Sequence, residues 1–340
     1  MKMKRLIAML LVIVLAFAMT AVVGCGTEDP APAPAVEVDE PEDEPADEPA
    51  DEPADEPEDE PAGDVSNYDL GLIGVSLATL ELPFVIAMYE GIETAVEDFG
   101  ANVLVVDNLN DSVKNTSDIE DLMAAGMGAL LVMPVDSEAV APVVQDVMDA
   151  GIPVVAVNRR VIGADVNVWI GTDNVEAGIA KAEYFMSVVD DGTRVVILEG
   201  TPGAGSGIDR LEGFMSVAGD RLDILASQTG YFNRVDGMEV AENLLVAHPD
   251  VEVIVAMNDE MALGAIEAAF AAGRTPGEDI LITGFDATDD ARAAVADGTL
   301  LFTIEQDPYG MAYKAIEVLL GLMRGETFPE IIRFDIGIVD

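Results

Sequence analysis

Residues 129–158 read ALLVMPVDSEAVAPVVQDVMDAGIPVVAVN. Ala129 to Met133 is an unbroken apolar run, Val140 to Ala150 has the spacing of a helix, Gly151 stands where that helix should stop, and Val154 to Asn158 is apolar again. Uniformly apolar runs, as opposed to alternating ones, are what parallel strands covered on both faces require. The unit is therefore β-α-β, and it repeats in both directions. Upstream come a strand at Leu70 to Ser76, a helix at Phe84 to Phe99, a strand at Val103 to Asp107 and a helix at Thr116 to Ala125, with Gly100 and Gly126 at the helix ends. Downstream of Trp169 a second series pairs helix Val175–Val189 with strand Val195–Leu198, Arg210–Ala218 with Leu222–Ala226, Val235–Ala247 with Val253–Met257, and Glu260–Ala272 with Ile280–Phe285. Two such arrays exceed what one core usually holds, so the expected fold is α/β with two doubly wound parallel-sheet lobes. Open sheets of this kind bind ligands outside the carboxyl ends of their strands, which places the expected site in the cleft between the lobes.

Composition excludes several alternatives. The 340 residues hold 65 acids against 16 bases, for a formal charge of -49, with one Cys, one His and one Trp. That field repels nucleic acid and anionic headgroups. It also leaves little material for a disulfide framework, a metal cluster or a His-based catalytic centre, so no cofactor or metal is expected. Gly203-Ala204-Gly205-Ser206-Gly207 invites a dinucleotide reading but has Ile208 where the third glycine belongs, and is read as a flexible connection bordering the cleft. His248 is read as a helix-end residue, Trp169 as a packing anchor and Asp289-Asp290 as a helix start.

The amino-terminal segment has a different character. Lys2, Lys4 and Arg5 precede an apolar run, Leu6 to Val23, whose one polar side chain is Thr20. This is the pattern of a secretory signal over residues 1–24, with a retained membrane helix as the alternative. Val22-Val23-Gly24-Cys25 looks like the lipobox of bacterial lipoproteins, which implies lipid attached at Cys25 and a globule held outside the cytoplasm. Residues 28–64 then carry 18 acids and no Lys or Arg, with Asp-Glu-Pro-Ala recurring from Asp47. No core can form from this, so residues 25–65 are expected to be a solvated tether, of which Gly26 to Asp64 reach at most about 120 Å at ~3.1 Å per residue.

At the expected strand ends stand Asn158-Arg159, Ala256-Met257-Asn258-Asp259-Glu260, Gly284-Phe285-Asp286 and Thr303-Ile304-Glu305-Gln306. Pro83-Phe84 follows the first strand, Gly171-Thr172-Asp173-Asn174 the first crossover, and Tyr231-Phe232-Asn233-Arg234 precedes a helix. In this order and spacing, from about Leu70 to the carboxyl terminus, the chain resembles periplasmic sugar-binding proteins of the ribose-binding type, which deliver solute to ABC importers. The resemblance implies two lobes joined by a three-segment hinge near Thr172, Asp307 and Glu330. The lobes would comprise residues 66–172 plus 307–329 and residues 173–306 plus 330–340. It further implies Phe84 and Phe232 as walls stacking on a sugar ring, with Asn158, Arg159, Asn258, Asp286 and Gln306 gripping its hydroxyls. The chemistry is coherent: C–H faces pack on aromatic rings, and planar polar groups satisfy hydroxyls in pairs. Four positions depart from the ribose pattern: Ala78 where a Ser is expected, Leu82 where an Asn is, Asn158 where an Asp is, and Ile208 where a second Arg is. Read as ligand-lining, these remove one acid and one base from the pocket and favour a deoxy sugar, a polyol, another pentose or a nucleoside-like compound over ribose.

Each residue also has a plainer reading: Phe84 as core, Phe232 as a loop anchor, Arg159 with Asp286 as a structural salt bridge, and Asn258 as a helix cap. The leading function is a monomeric, non-enzymatic capture protein that hands a sugar-like solute to a membrane permease. A ligand sensor for a signalling or chemotaxis receptor is the alternative. Nothing in the sequence supplies a nucleophile, metal or cofactor site for an enzyme.

Overall fold

The structure, a computed structural model, describes residues 70–340; the signal segment, Cys25 and the tether lie outside the described residues. The first half runs β1 (Leu72–Leu77), α1 (Pro83–Phe99), β2 (Asn102–Asp107), α2 (Ser112–Ala124), β3 (Met127–Val132), α3 (Ala141–Asp149), β4 (Val154–Val157) and β5 (Val168–Gly171). The second runs α4 (Asn174–Val188), β6 (Arg194–Glu199), α5 (Gly205–Ala218), β7 (Asp223–Thr229), α6 (Arg234–Ala247), β8 (Val253–Ala256), α7 (Asp259–Ala271), β9 (Leu281–Thr283), α8 (Asp289–Ala296) and β10 (Thr303–Glu305). The chain closes with α9 (Pro308–Met323), β11 (Ile331–Arg333) and β12 (Gly337–Val339).

Two large sheets result, each the core of one lobe, and β10 and β12 form a separate two-stranded antiparallel sheet. The first has the order β11-β5-β4-β3-β1-β2 with every pair parallel, and the second the order β7-β6-β8-β9, also parallel. Both orders turn back on themselves beside their first strand, at β1/β3 and at β6/β8. Such a switch point separates two strand ends whose loops diverge, and so leaves a crevice there. The helices bury apolar faces on both sides of each sheet, and most residues of β3, β4, β6 and β8 are fully buried. This is why those strands read as continuous Val/Ile/Leu/Ala runs.

Three features differ from the sequence expectation. Helix α5 starts at Gly205, not at Arg210, so Gly205-Ser206-Gly207 is its first turn and not a flexible connection. Those glycines allow close approach: a Cβ on Gly205 would stand 2.7 Å from Ser137 Oγ, and one on Gly207 2.9 Å from Phe232 Cζ. Next, β11 hydrogen-bonds to β5 in the first sheet while β12 pairs antiparallel with β10, which lies beside the second sheet through a bridge between Thr283 and Phe302. The last crossing therefore falls at residues 334–336 and not at Glu330, because residues 331–333 are held by the first sheet's edge. Finally, Ala78 is fully buried in the first lobe's core, where the expectation had it facing ligand.

Candidate functional site

The loops at the carboxyl ends of both sheets surround one tight hollow of about 20 Å³, lined among others by Leu82, Phe84, Asn158, Arg159, Arg210, Phe232, Asn258 and Asp286. An adjoining hollow of about 370 Å³ shares Phe84, Glu260 and Asp286 and adds Gln306. The seven residues expected to grip ligand are thus brought together. Phe84 enters on the first turn of α1, where Pro83 supplies the preset φ of a helix start. Asn158 and Arg159 follow β4, Phe232 follows β7, Asn258 follows β8, Asp286 follows β9 and Gln306 follows β10.

Several of these side chains are aimed by unusual backbone. Asn158 (φ 60), Phe232 (φ 61) and Asp286 (φ 117) all lie at positive φ. Such conformations cost on the order of 1–3 kcal/mol for a non-glycine residue and persist where the surroundings impose them. Around Phe232 the imposition is visible. Gly200 faces its ring so closely that a Cβ there would lie 2.1 Å from Phe232 Cζ, and the carbonyl of Phe232 accepts from Asn258 Nδ2 at 3.0 Å. Asn258 also caps α7, its Oδ1 accepting from the Met261 N–H at 3.0 Å, so its capping role and its place at the hollow coexist.

The polar groups are buried and only partly satisfied. Arg159 Nη1 donates to the carbonyls of Pro134 (2.8 Å) and Val135 (3.3 Å), and its guanidinium lies 5.6 Å from the Phe232 ring centroid, across the cleft. Burial and the neighbouring Arg210 lower its pKa to about 10. Gln306 Nε2 donates to Asp286 Oδ1 at 2.8 Å. Burial pushes the Asp286 carboxyl well above the usual carboxylate range, with Arg210 opposing the shift. Asn158 Nδ2, Arg159 Nε and Gln306 Oε1 are buried without a partner among the described residues. Unpaired buried polar atoms cost about 1–3 kcal/mol each, so a site that keeps three of them is built for a polar guest.

The lobes also touch at the cleft edge: the Ser137 N–H donates to the Gly203 carbonyl (2.9 Å), the Gly205 N–H to Ser137 Oγ (3.2 Å) and Asn110 Nδ2 to Thr201 Oγ1 (3.2 Å).

A family model described as the periplasmic binding protein domain matches residues 73–327. The chain belongs to that family. It is 36% identical over 260 residues to the ribose import binding protein of Bacillus subtilis, covering 76% of this chain and 84% of that one. Among solved structures, a Caulobacter myo-inositol binding protein bound to myo-inositol superposes with a TM-score of 0.76 at 29% identity, over 79% of this chain and 93% of that chain. A Mycobacterium smegmatis protein in complex with β-D-fucofuranose does so with a TM-score of 0.74 at 33% identity, over 79% and 91%.

Within this periplasmic binding protein the hollow corrects one inference from sequence. Ile208 does not line it: the side chain is 54% exposed and faces a separate groove with Glu199 and Leu211. The second arginine is present at Arg210. Its Nε donates to Asn174 Oδ1 (2.8 Å), its Nη1 donates to the Met257 carbonyl (2.9 Å) and lies 3.4 Å from Asp286 Oδ1, and its guanidinium stacks 3.7 Å over Phe285. The plainer reading of Arg159 with Asp286 as a structural salt bridge is not met: Asp286 pairs with Arg210, and Arg159 has no ion pair among the described residues. Leu82 does line the hollow, at the start of α1.

Behind the site Lys181 is fully buried and donates to the carbonyls of Ala256 and Gly284, tying together the ends of β8 and β9 that carry Asn258 and Asp286. Nothing in the sequence distinguished this lysine, which lies among apolar and charged neighbours on α4.

Proposed function

We propose that the chain is an extracytoplasmic solute-binding protein that captures a sugar or sugar-like ligand between its lobes and delivers it to an ABC importer. It works as a monomer and performs no covalent chemistry. A lipid on Cys25 and the acidic tether hold it to the membrane. One lobe comprises residues 70–172 and 307–333, the other residues 173–306 and 337–340, and the three connecting segments act as the hinge on which they close. The observation that carries this reading is the meeting of Phe84 and Phe232, one from each lobe, with Arg159, Arg210, Asn258 and Asp286 around one hollow. Flat apolar walls with planar hydrogen-bonding groups suit a ring with C–H faces and a belt of hydroxyls. The names of the relatives support it, since they specify ribose import and myo-inositol binding.

A thermal-shift screen against pentoses, hexoses, polyols, sugar acids and nucleosides tests the proposal, because a ligand that binds only the native state raises its melting temperature. The expected result is a rise of several degrees for a restricted subset, lost in Arg159→Ala and Asp286→Ala. The absence of any rise, or full affinity in both variants, contradicts it.

A further inference from the structure

The charges sealed in the site are unevenly partnered. Five ionisable side chains at and behind the hollow are at least nine-tenths buried: Arg159, Arg210, Lys181, Asp259 and Asp286. They comprise two guanidiniums, one amine whose proton burial loosens, and two carboxyl groups. Asp259 is held by Thr303 Oγ1 (2.6 Å) and the Thr288 N–H (2.8 Å), in the same buried layer as Lys181. Asp286 lies against Arg210 and Gln306. Arg159 has no ion pair among the described residues: two carbonyls and an aromatic ring contact it, and Asp286, already paired with Arg210, acts on it from beyond ion-pair distance. The partly buried acid at the rim, Glu260, is engaged by Arg234 through two hydrogen bonds (3.0 and 2.9 Å). A buried charge without a counter-charge is costly, and the cost is removed by a guest that brings the opposite sign.

The unpartnered atoms beside Arg159 agree with this sign. Its own Nε and the Nδ2 of Asn158 are both buried donors without acceptors. An aspartate at position 158 would neutralise Arg159, whereas asparagine supplies another N–H. Helix α1 begins at the hollow with no side-chain cap on its amino terminus, which adds positive potential on the same side.

Resting on the proposed capture of a sugar-like solute, we infer that this solute carries a carboxylate, as in aldonic and uronic acids, held by the Arg159 guanidinium and the Asn158 amide. The chain's acidic exterior does not forbid this, since surface charges are screened beyond about 8 Å at physiological ionic strength.

Calorimetric titration of the full chain with matched pairs (D-glucuronate and D-glucose, D-galacturonate and D-galactose, D-ribonate and D-ribose) tests the inference. The expected result is that in at least one pair the acid binds about tenfold or more tighter than its neutral partner. Asn158→Asp should reverse that preference, weakening the acid about tenfold or more relative to its neutral partner whatever the change in the neutral partner's own affinity. Neutral sugars binding as tightly as their acids, or equal losses for both in Asn158→Asp, overturn the inference and leave sugar capture standing. No binding by acids, neutral sugars or polyols overturns both.

Discussion

Arg210 and Ile208 show how the reach of a sequence argument depends on one helix boundary. With the helix expected to begin at Arg210, position 208 belonged to a loop facing the cleft and position 210 to an ordinary helical surface. With α5 starting at Gly205, Ser206 and Arg210 are four residues apart on the face that lines the hollow, and Ile208 points the other way. Phe84, Arg159, Phe232, Asn258 and Asp286 were reached through the family resemblance, and the structure brings them to one hollow. Lys181 was illegible because a buried cation is recognised by its acceptors, and these lie 75 and 103 residues away. Burial lowers the Lys181 pKa from its ordinary 10.5 to about 7. Between those values the unfolded chain holds a proton that the folded chain has released, so this residue makes stability rise with pH across that window. The gain is complete only above the unfolded value and is lost as pH falls toward 7. Denaturant titrations at pH 7, 8.5 and 10 should show wild-type stability rising relative to Lys181→Met; parallel profiles would refute the assignment.

At the scale of elements, the βα units were readable from continuous apolar runs and glycine stops, because two-sided burial dictates both. What the runs could not show was how closely elements pack. The glycine cluster after β6 looked like a pliant connection, whereas its residues are small because Ser137 and Phe232 stand against them. Gly200 is the sharpest case, with the Phe232 ring occupying the space of its missing side chain. Gly200→Ala must push that ring toward the hollow. Overpacking of this kind costs about 1–3 kcal/mol. We expect a corresponding loss in chemical denaturation and ligand affinity reduced about tenfold or more. A variant with native stability and affinity would show that Phe232 is not held by this contact.

For the whole molecule, two parallel sheets were anticipated from the length of the paired arrays, and the closing segment was not. Residues 331–333 join the first sheet and 337–339 pair with β10 beside the second, a division decided by backbone pairing at strand edges, to which side-chain type is nearly blind. The amino-terminal lipid proposal belongs to this scale too. Cys25→Ser should abolish palmitate labelling in a bacterial host and release the protein into the soluble fraction, and retained labelling would refute it. The central claim is that a solute lies between the lobes with Phe84 on one side and Phe232 on the other. The most direct measurement is a crystal structure of the chain with whichever compound raises its melting temperature most. The account predicts density for the solute between the two rings, within hydrogen-bonding distance of Arg159, Arg210 and Asp286. Density for the bound compound elsewhere on the surface, with the hollow left empty, would contradict it.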